Sequence, residues 1–315
     1  MIIARRVEEA GRDPGSVVTV GTFDGVHRAH AEIIREVVTR ARMREGRSVV
    51  VSFDPHPKQV VGAHPESVEL LTTIDERVAL IRDLGVDVLL LLEFTYAFSR
   101  ISPEEFYRTF IVEGTGLDEV IVGYDHMFGR DRAAGIDELV KMGKRFGFSV
   151  FAVHPFTVGG ETVSSTAIRA ALGAGAVERA ALFLGRPYAL EATVVPGDGR
   201  GKTLGFPTAN LLPVSPLKVV PADGVYAVAV TVGAEERPGM MNIGRRPTVR
   251  EGEPRTLEVH LLDFDRDIYG TRLTVSFLRR LRDEKKFASL SDLVRQLAED
   301  REEVLRTVAR GKNVP

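Results

Sequence analysis

Between Val17 and Val153, short apolar runs alternate with longer stretches of helical spacing, and this alternation limits the possible folds more than any other feature of the chain. Val17–Val20, Ser48–Phe53, Val86–Leu92, Glu119–Val122 and Ser149–Val153 read as strands. Ala31–Arg44 carries Ile33, Ile34, Val37 and Val38 at helical spacing, and Ile74–Leu84, Pro103–Ile111 and Ile136–Phe146 are the further helices. Strands joined by helical crossovers pair in parallel, so a parallel α/β sheet is expected. Ligands in such sheets bind at the C-terminal ends of the strands.

The pattern changes in the second half. Ala167–Leu184 is Ala-rich and reads as a helical connector. Beyond it, Ala192–Val195, Val225–Val232, Met240–Ile243, Leu257–Leu262 and Leu273–Phe277 are short strands divided by Gly and Pro turns, which predicts a small antiparallel barrel. A last helix over Ser291–Arg310 takes Ser289 as its cap, with Asp292 in the capping-box position. The 315 residues therefore divide into two expected domains, 1–183 and 184–315.

A net charge of −2 gives no global attraction to nucleic acid or to an anionic membrane, and neither is expected as a partner. The absence of cysteine excludes disulfides and thiolate metal sites. No apolar run approaches the ~20 residues of a membrane span, and no signal-peptide pattern opens the chain, so a cytoplasmic protein is expected. Nothing in the sequence signals an oligomeric state.

Two strings carry chemistry. In the first, Gly21, Thr22, Phe23, Asp24 and Gly25 lead through Val26 to His27, Arg28, Ala29 and His30, joining the first predicted strand to the first helix. A strand-to-helix turn directs backbone N–H groups and the positive helix end at whatever lies above the sheet edge. His27 and His30, three apart, share one face of the first helical turn and suit an anion such as a polyphosphate. A metal site from Asp24, His27 and His30, or histidines merely satisfied near a helix start, remain alternatives. The glycine spacing does not match a dinucleotide fingerprint.

This string resembles the adenylyl-transfer motif of bacterial bifunctional riboflavin kinase/FAD synthetases, nucleotidylyltransferases with a His-x-Gly-His core. Ala29 stands where the family has Gly. Further similarity follows in Phe53-Asp54-Pro55-His56-Pro57, in Val122-Gly123-Tyr124-Asp125 with Phe128-Gly129, and in Ser164-Ser165-Thr166-Ala167-Ile168-Arg169. His126 and Met127 depart from the family's usual Phe and Arg. The resemblance implies a Rossmann-like domain in which an FMN phosphate oxygen attacks the α-phosphorus of ATP. By the same resemblance, His27 and His30 stabilise the reacting phosphates. Gly21, Thr22, Phe23, Asp24 and Asp125 bind ATP, and Ser164, Ser165, Thr166 and Arg169 hold the leaving pyrophosphate.

The second string runs from Gly197 through Asp198, Gly199, Arg200, Gly201, Lys202, Thr203, Leu204, Gly205, Phe206, Pro207 and Thr208 to Asn210. It contains Gly-Lys-Thr but is no Walker A loop. Pro196 occupies the position of the required first glycine, and Gly205 and Pro207 forbid the helix that must follow. The glycines can still fold a backbone cradle for phosphates, with Lys202 as a point charge and Thr208 and Asn210 as hard oxygen ligands for Mg²⁺. The string resembles the riboflavin kinase signature, and similarity continues through Asn242-Ile243-Gly244, Leu257-Glu258-Val259-His260 and Leu281-Arg282-Asp283-Glu284.

The resemblance implies a barrel kinase domain closed by a C-terminal helix. Gly197, Gly199, Gly201, Lys202, Thr203, Gly205 and Pro207 would hold ATP and Glu258 would act as base. Arg282 and Glu284 would line the flavin. Glu258 also fits an ordinary outward-facing strand Glu, and Arg282 and Glu284 also fit a surface ion pair. Expected small molecules are riboflavin, FMN, FAD and ATP with Mg²⁺. Readings kept beside this one are a riboflavin kinase with weakened or lost adenylyl transfer, a non-catalytic flavin-binding regulator, and a nucleotidylyltransferase for another acceptor.

Overall fold

The computed structural model describes residues 1–64, 67–124, 135–197, 205–244 and 255–311, and its chain splits into two compact units, Met1–Ser165 and Thr166–Pro315. Asp125, Gly199, Gly201, Lys202 and Thr203, together with His126, Met127 and the string's other members between 198 and 204, lie outside the described residues.

The first unit runs β1 (Ile2–Ala4), α1 (Val7–Ala10), β2 (Ser16–Val20), α2 (Arg28–Met43), β3 (Ser48–Asp54), α3 (Pro57–Val61), α4 (Ile74–Asp83), β4 (Val88–Glu93), α5 (Pro103–Phe106), β5 (Leu117–Gly123), α6 (Ile136–Phe146), β6 (Ser149–Val153) and a short hairpin, β7 (Thr157–Val158) with β8 (Glu161–Thr162). Its six-stranded sheet has the order β1-β4-β3-β2-β5-β6, with parallel pairing throughout. Val49, Val50 and Val51 in β3 and Leu89, Leu90 and Leu91 in β4 are buried in unbroken runs, as strands covered on both faces require. Helix α2 buries Ala31, Ile34, Val37, Val38 and Ala41, one stripe at helical spacing that docks it on the sheet. In α4, Thr73 and Glu76 form a reciprocal capping box.

Strand order decides where the site lies. From β2 the chain proceeds outward through β3 and β4 on one side, then returns to place β5 and β6 on the other. The crevice at the C-terminal ends of β2 and β5 is thus the topological switch point.

Two local expectations are corrected. The helix predicted over Pro103–Ile111 is one α turn followed by a π-helical stretch, Tyr107–Glu113, in which Tyr107 and Ile111 are buried. The Ala167–Leu184 stretch is two helices, α7 (Ser165–Gly173) and α8 (Val177–Leu184), interrupted at Gly175. There φ is +72°, and a Cβ would come within 2.9 Å of Tyr226 Oη and the Arg280 guanidinium, so only glycine fits.

The second unit continues with β9 (Tyr188–Val195), β10 (Ala209–Pro213), β11 (Gly224–Val232), β12 (Glu235–Gly244), β13 (Thr256–Leu261), β14 (Arg272–Arg282) and α9 (Leu290–Gly311). The strands close into an antiparallel barrel in the order β10-β13-β12-β11-β14-β9. Alternation in β13 sends Leu257, Val259 and Leu261 into the core and leaves Thr256, Glu258 and His260 on the other face. Helix α9 packs Val304, Leu297 and Val308 against Ala227, Met240 and Leu262. Its cap is the expected one: Ser289 Oγ accepts from the Asp292 amide at 3.1 Å and donates to Asp292 Oδ2 at 2.7 Å.

Candidate active sites

The loop after β2 is held by its acid. Asp24 is buried, its Oδ1 accepting from Thr72 N and Thr72 Oγ1 at 3.0 Å and its Oδ2 from Leu71 N at 3.0 Å. Thr72 Oγ1 in turn accepts from Gly25 N at 2.9 Å. These bonds fix a backbone that carries positive φ at Phe23 (49°), Gly25 (87°) and Val26 (37°), the last a conformation that a β-branched residue rarely adopts. Ser52 Oγ donates to Thr22 O at 3.2 Å and anchors the other flank, beside Gly21.

The loop delivers His27 as the N-cap of α2. Its Nδ1 accepts from His30 N at 3.3 Å, which in the neutral ring leaves the proton on Nε2. The His27 and His30 rings stack with centroids 3.6 Å apart and planes at 17°, and Phe23 sets its edge to His30 at 5.2 Å. Ala29, at the family's glycine position, is the second residue of α2, where helical backbone accepts a Cβ.

Burial, then the neighbouring His27 and the Arg77 guanidinium, push His30 well below the usual histidine range, and its Nδ1 is enclosed without a hydrogen-bond partner among the described residues. Arg77 is itself buried, donating from Nη1 to Phe53 O at 3.3 Å, and is lowered by burial while Asp24 and Asp54 oppose that shift. His30 is therefore neutral near pH 7. Because its folded pKa lies below its unfolded one, the stability tied to its neutral form is present above about pH 6.5 and is lost as pH falls below that value. Thermal unfolding followed against pH should show the transition temperature dropping on acidification, with a smaller drop in His30→Gln. Equal drops in both proteins would contradict this.

Far along the chain, Ser165 Oγ donates to Asp24 O at 2.9 Å, joining Ser165 to the histidine loop across 141 positions. Ser164 precedes it, and Thr166 and Arg169 follow within the first turns of α7. Sequence reasoning passed over other neighbours of this loop. Leu71 and Thr72 fall in no predicted element, and Arg77 reads only as part of the helix over Ile74–Leu84. Phe53 and Phe94, with ring centroids 5.6 Å apart, and Phe98, Phe106 and Phe110 form an aromatic cluster beginning at the C-terminal ends of β3 and β4. No local periodicity marks it, because its members come from four segments.

In the barrel, register builds a polar row. Asn210 of β10 and Asn242 of β12 each stand opposite Glu258 of β13. Thr208 Oγ1 lies 3.5 Å from Glu258 Oε2, at the outer limit of a hydrogen bond, and Asn242 Nδ2 donates to Glu284 Oε1 at 3.1 Å. Gly197 lies close beside this row, since a Cβ there would fall 1.8 Å from Asn210 Nδ2. Gly244 lies equally close to Glu284, whose side chain would have to move for a Cβ set 1.9 Å from its Oε1. Gly205 turns the chain at φ +79° ahead of the exposed Pro207. The Arg282 guanidinium is turned to Asp300 of α9, with Nε 3.0 Å and Nη2 2.8 Å from Oδ2, both side chains being largely buried. Asn242 was legible only as part of its Asn-Ile-Gly string.

The donors around Glu258, a hydroxyl, side-chain amides and a carboxylate, fit a hard cation that is also held by substrate phosphates. Among the described residues no group of three or more His, Asp or Glu could hold a metal ion by itself.

Residues 10–167 match the FAD synthetase family and residues 184–308 the riboflavin kinase family. The chain is 37% identical to the bifunctional riboflavin kinase/FMN adenylyltransferase of Escherichia coli (strain K12), over 95% of this chain and 96% of that protein. The chain belongs to this bifunctional family. It is 34% identical to the corresponding protein of Bacillus subtilis (strain 168), with 92% of each covered, and 39% identical to that of Pseudomonas fluorescens, covering 89% of this chain and 88% of the relative. A solved structure from Streptococcus pneumoniae, described as a macrolide-efflux protein, is 34% identical, with a TM-score of 0.86 over 96% of this chain and 97% of its own. No helix among the described residues of this family member is long and apolar enough to cross a membrane.

Proposed function

We propose that the two constellations divide two successive phosphorus transfers between them, the kinase step using residues of 184–315 and the adenylyl step residues of 1–183. The chain phosphorylates riboflavin to FMN with ATP, then transfers an adenylyl group from ATP to FMN, giving FAD and pyrophosphate. The observation that carries this reading is the presence of both family matches on one chain, each with its own phosphate-handling string.

In the kinase step Glu258 accepts the proton of the ribityl hydroxyl as that oxygen attacks the γ-phosphorus. Thr208 and Asn210, on either side of Ala209, would hold Mg²⁺ with the phosphates of ATP. The cation supplies charge neutralisation on the transferring phosphoryl group. Gly197, Gly205 and Pro207 shape the cradle, Glu284 contacts the flavin through the Asn242 end of the polar row, and Arg282 fixes the base of the Glu284 segment through Asp300. Gly199, Gly201, Lys202 and Thr203 complete the ATP contacts in this proposal.

In the adenylyl step no covalent intermediate is required, and positioning and charge stabilisation carry the reaction. The Nε2–H of His27 and the neutral ring of His30 donate to the α-phosphate as charge builds on it. Gly21, Thr22 and Phe23 form the backbone wall, and Asp24 holds that wall in place rather than touching phosphate. Ser164, Ser165, Thr166 and Arg169 take the pyrophosphate, joined by Asp125 on the nucleotide. The aromatic cluster at the ends of β3 and β4 offers apolar, planar surface for an isoalloxazine. The cytoplasm, with its ATP and reduced thiols, suits a cysteine-free enzyme of this kind. Stripping divalent cations with a chelator should stop riboflavin phosphorylation and Mg²⁺ should restore it. Undiminished FMN formation without any divalent cation would contradict the metal assignment.

A further inference from the structure

Strand β10 begins its ladder at Ala209, opposite Val259, and has no ladder partner before it among the described residues. Extending that register by one residue sets Thr208 opposite His260. The segment leading in cannot pair by itself: Pro207 has no N–H, and Gly205 turns the backbone through positive φ. The side chain of His260 holds the segment instead, through the Pro207 carbonyl. Its Nδ1 lies 2.7 Å from Pro207 O, and because a carbonyl only accepts, Nδ1 carries the proton. The same ring receives Phe206, with centroids 5.3 Å apart and planes at 66°, while Phe206 packs onto the cluster of Met240, Leu262 and Val304. His260 and Glu258 are two apart on one face of β13, so a single strand carries both the proposed base and the group that fastens the opposing loop.

We propose that His260 is a positioning residue for the kinase step: by holding Phe206 and the Pro207 carbonyl, it places Thr208 at the Glu258 carboxylate. The inference rests on the reading of Thr208 and Asn210 as Mg²⁺ ligands. It makes His260 neither a ligand nor a proton carrier.

Two substitutions separate the donor from the ring. His260→Phe keeps an aromatic partner for Phe206 and removes the donor, whereas His260→Asn places an amide N–H near the position of Nδ1. Hydrogen exchange of the intact, metal-free protein should show the amides of residues 205, 206 and 208–210 exchanging about fivefold faster in His260→Phe, the worth of one hydrogen bond, and close to the parent in His260→Asn. In turnover, the apparent KM for Mg·ATP should rise about fivefold in His260→Phe. The KM for riboflavin and the rate of FAD formation from supplied FMN should stay at parent values, and His260→Asn should restore the first of these. Parent-like exchange and KM in His260→Phe, or His260→Asn as impaired as His260→Phe, would overturn the proposal. Metal-independent FMN formation by the parent would instead overturn the ligand reading beneath it.

Discussion

Glu258→Gln is expected to lower riboflavin phosphorylation by about a hundredfold or more, the usual worth of a positioned general base. FAD formation from supplied FMN should stay at the parent rate. The substitution keeps shape and hydrogen-bonding capacity, so the row from Asn210 through residue 258 to Asn242 is preserved and only basicity is lost. The fall should therefore appear in kcat, with the KM for riboflavin nearly unmoved. Quantifying FMN by chromatography at saturating riboflavin and ATP checks this. A variant as fast as the parent would return Glu258 to an ordinary outward-facing strand residue and revive the reading of the barrel as a flavin-binding regulator.

His27→Asn should have the complementary effect. His27 caps α2 through Nδ1, and Asn is among the best N-cap residues, so the substitution keeps the helix start while removing the Nε2 donor. Loss of one donor aimed at developing charge typically costs about 10²–10³ in rate. Adenylyl transfer should fall by that factor while riboflavin phosphorylation continues, so FMN accumulates. The readout is the ratio of FAD to FMN after a fixed time, with circular dichroism confirming the fold. FAD formation at the parent rate would remove His27 from the chemistry and leave it as a cap alone.

How far the sequence announced this structure depends on whether a feature is local. Strands β3 and β6 and helix α6 were legible nearly to the residue, because an apolar run or an amphipathic stripe is written in consecutive positions, even where, as in β6, the run is only partly covered. Strand β1, three residues long, and β10, in which only Leu211 is buried, carry too little pattern of their own and exist because β4, β9 and β13 pair with them. The first half of β12 is polar and contains Pro238, which masked its pairing with β11.

At the sites, the strings around His27 and Thr208 were visible because backbone turns and phosphate cradles demand glycines at fixed spacing. The anchors were not. The resemblance makes Asp24 a nucleotide contact, yet its carboxylate accepts from Leu71 and Thr72, and that pairing is a tertiary fact. The same holds for Ser165 on Asp24, Arg282 on Asp300 and His260 on Pro207.

The central claim is that one polypeptide carries riboflavin through both transfers. Purified chain given riboflavin, ATP and Mg²⁺ should be sampled over time, with flavins and pyrophosphate quantified together. The account predicts FMN first, then FAD rising at FMN's expense with one pyrophosphate released per FAD. Riboflavin left unchanged, or FMN accumulating with neither FAD nor pyrophosphate, would contradict it.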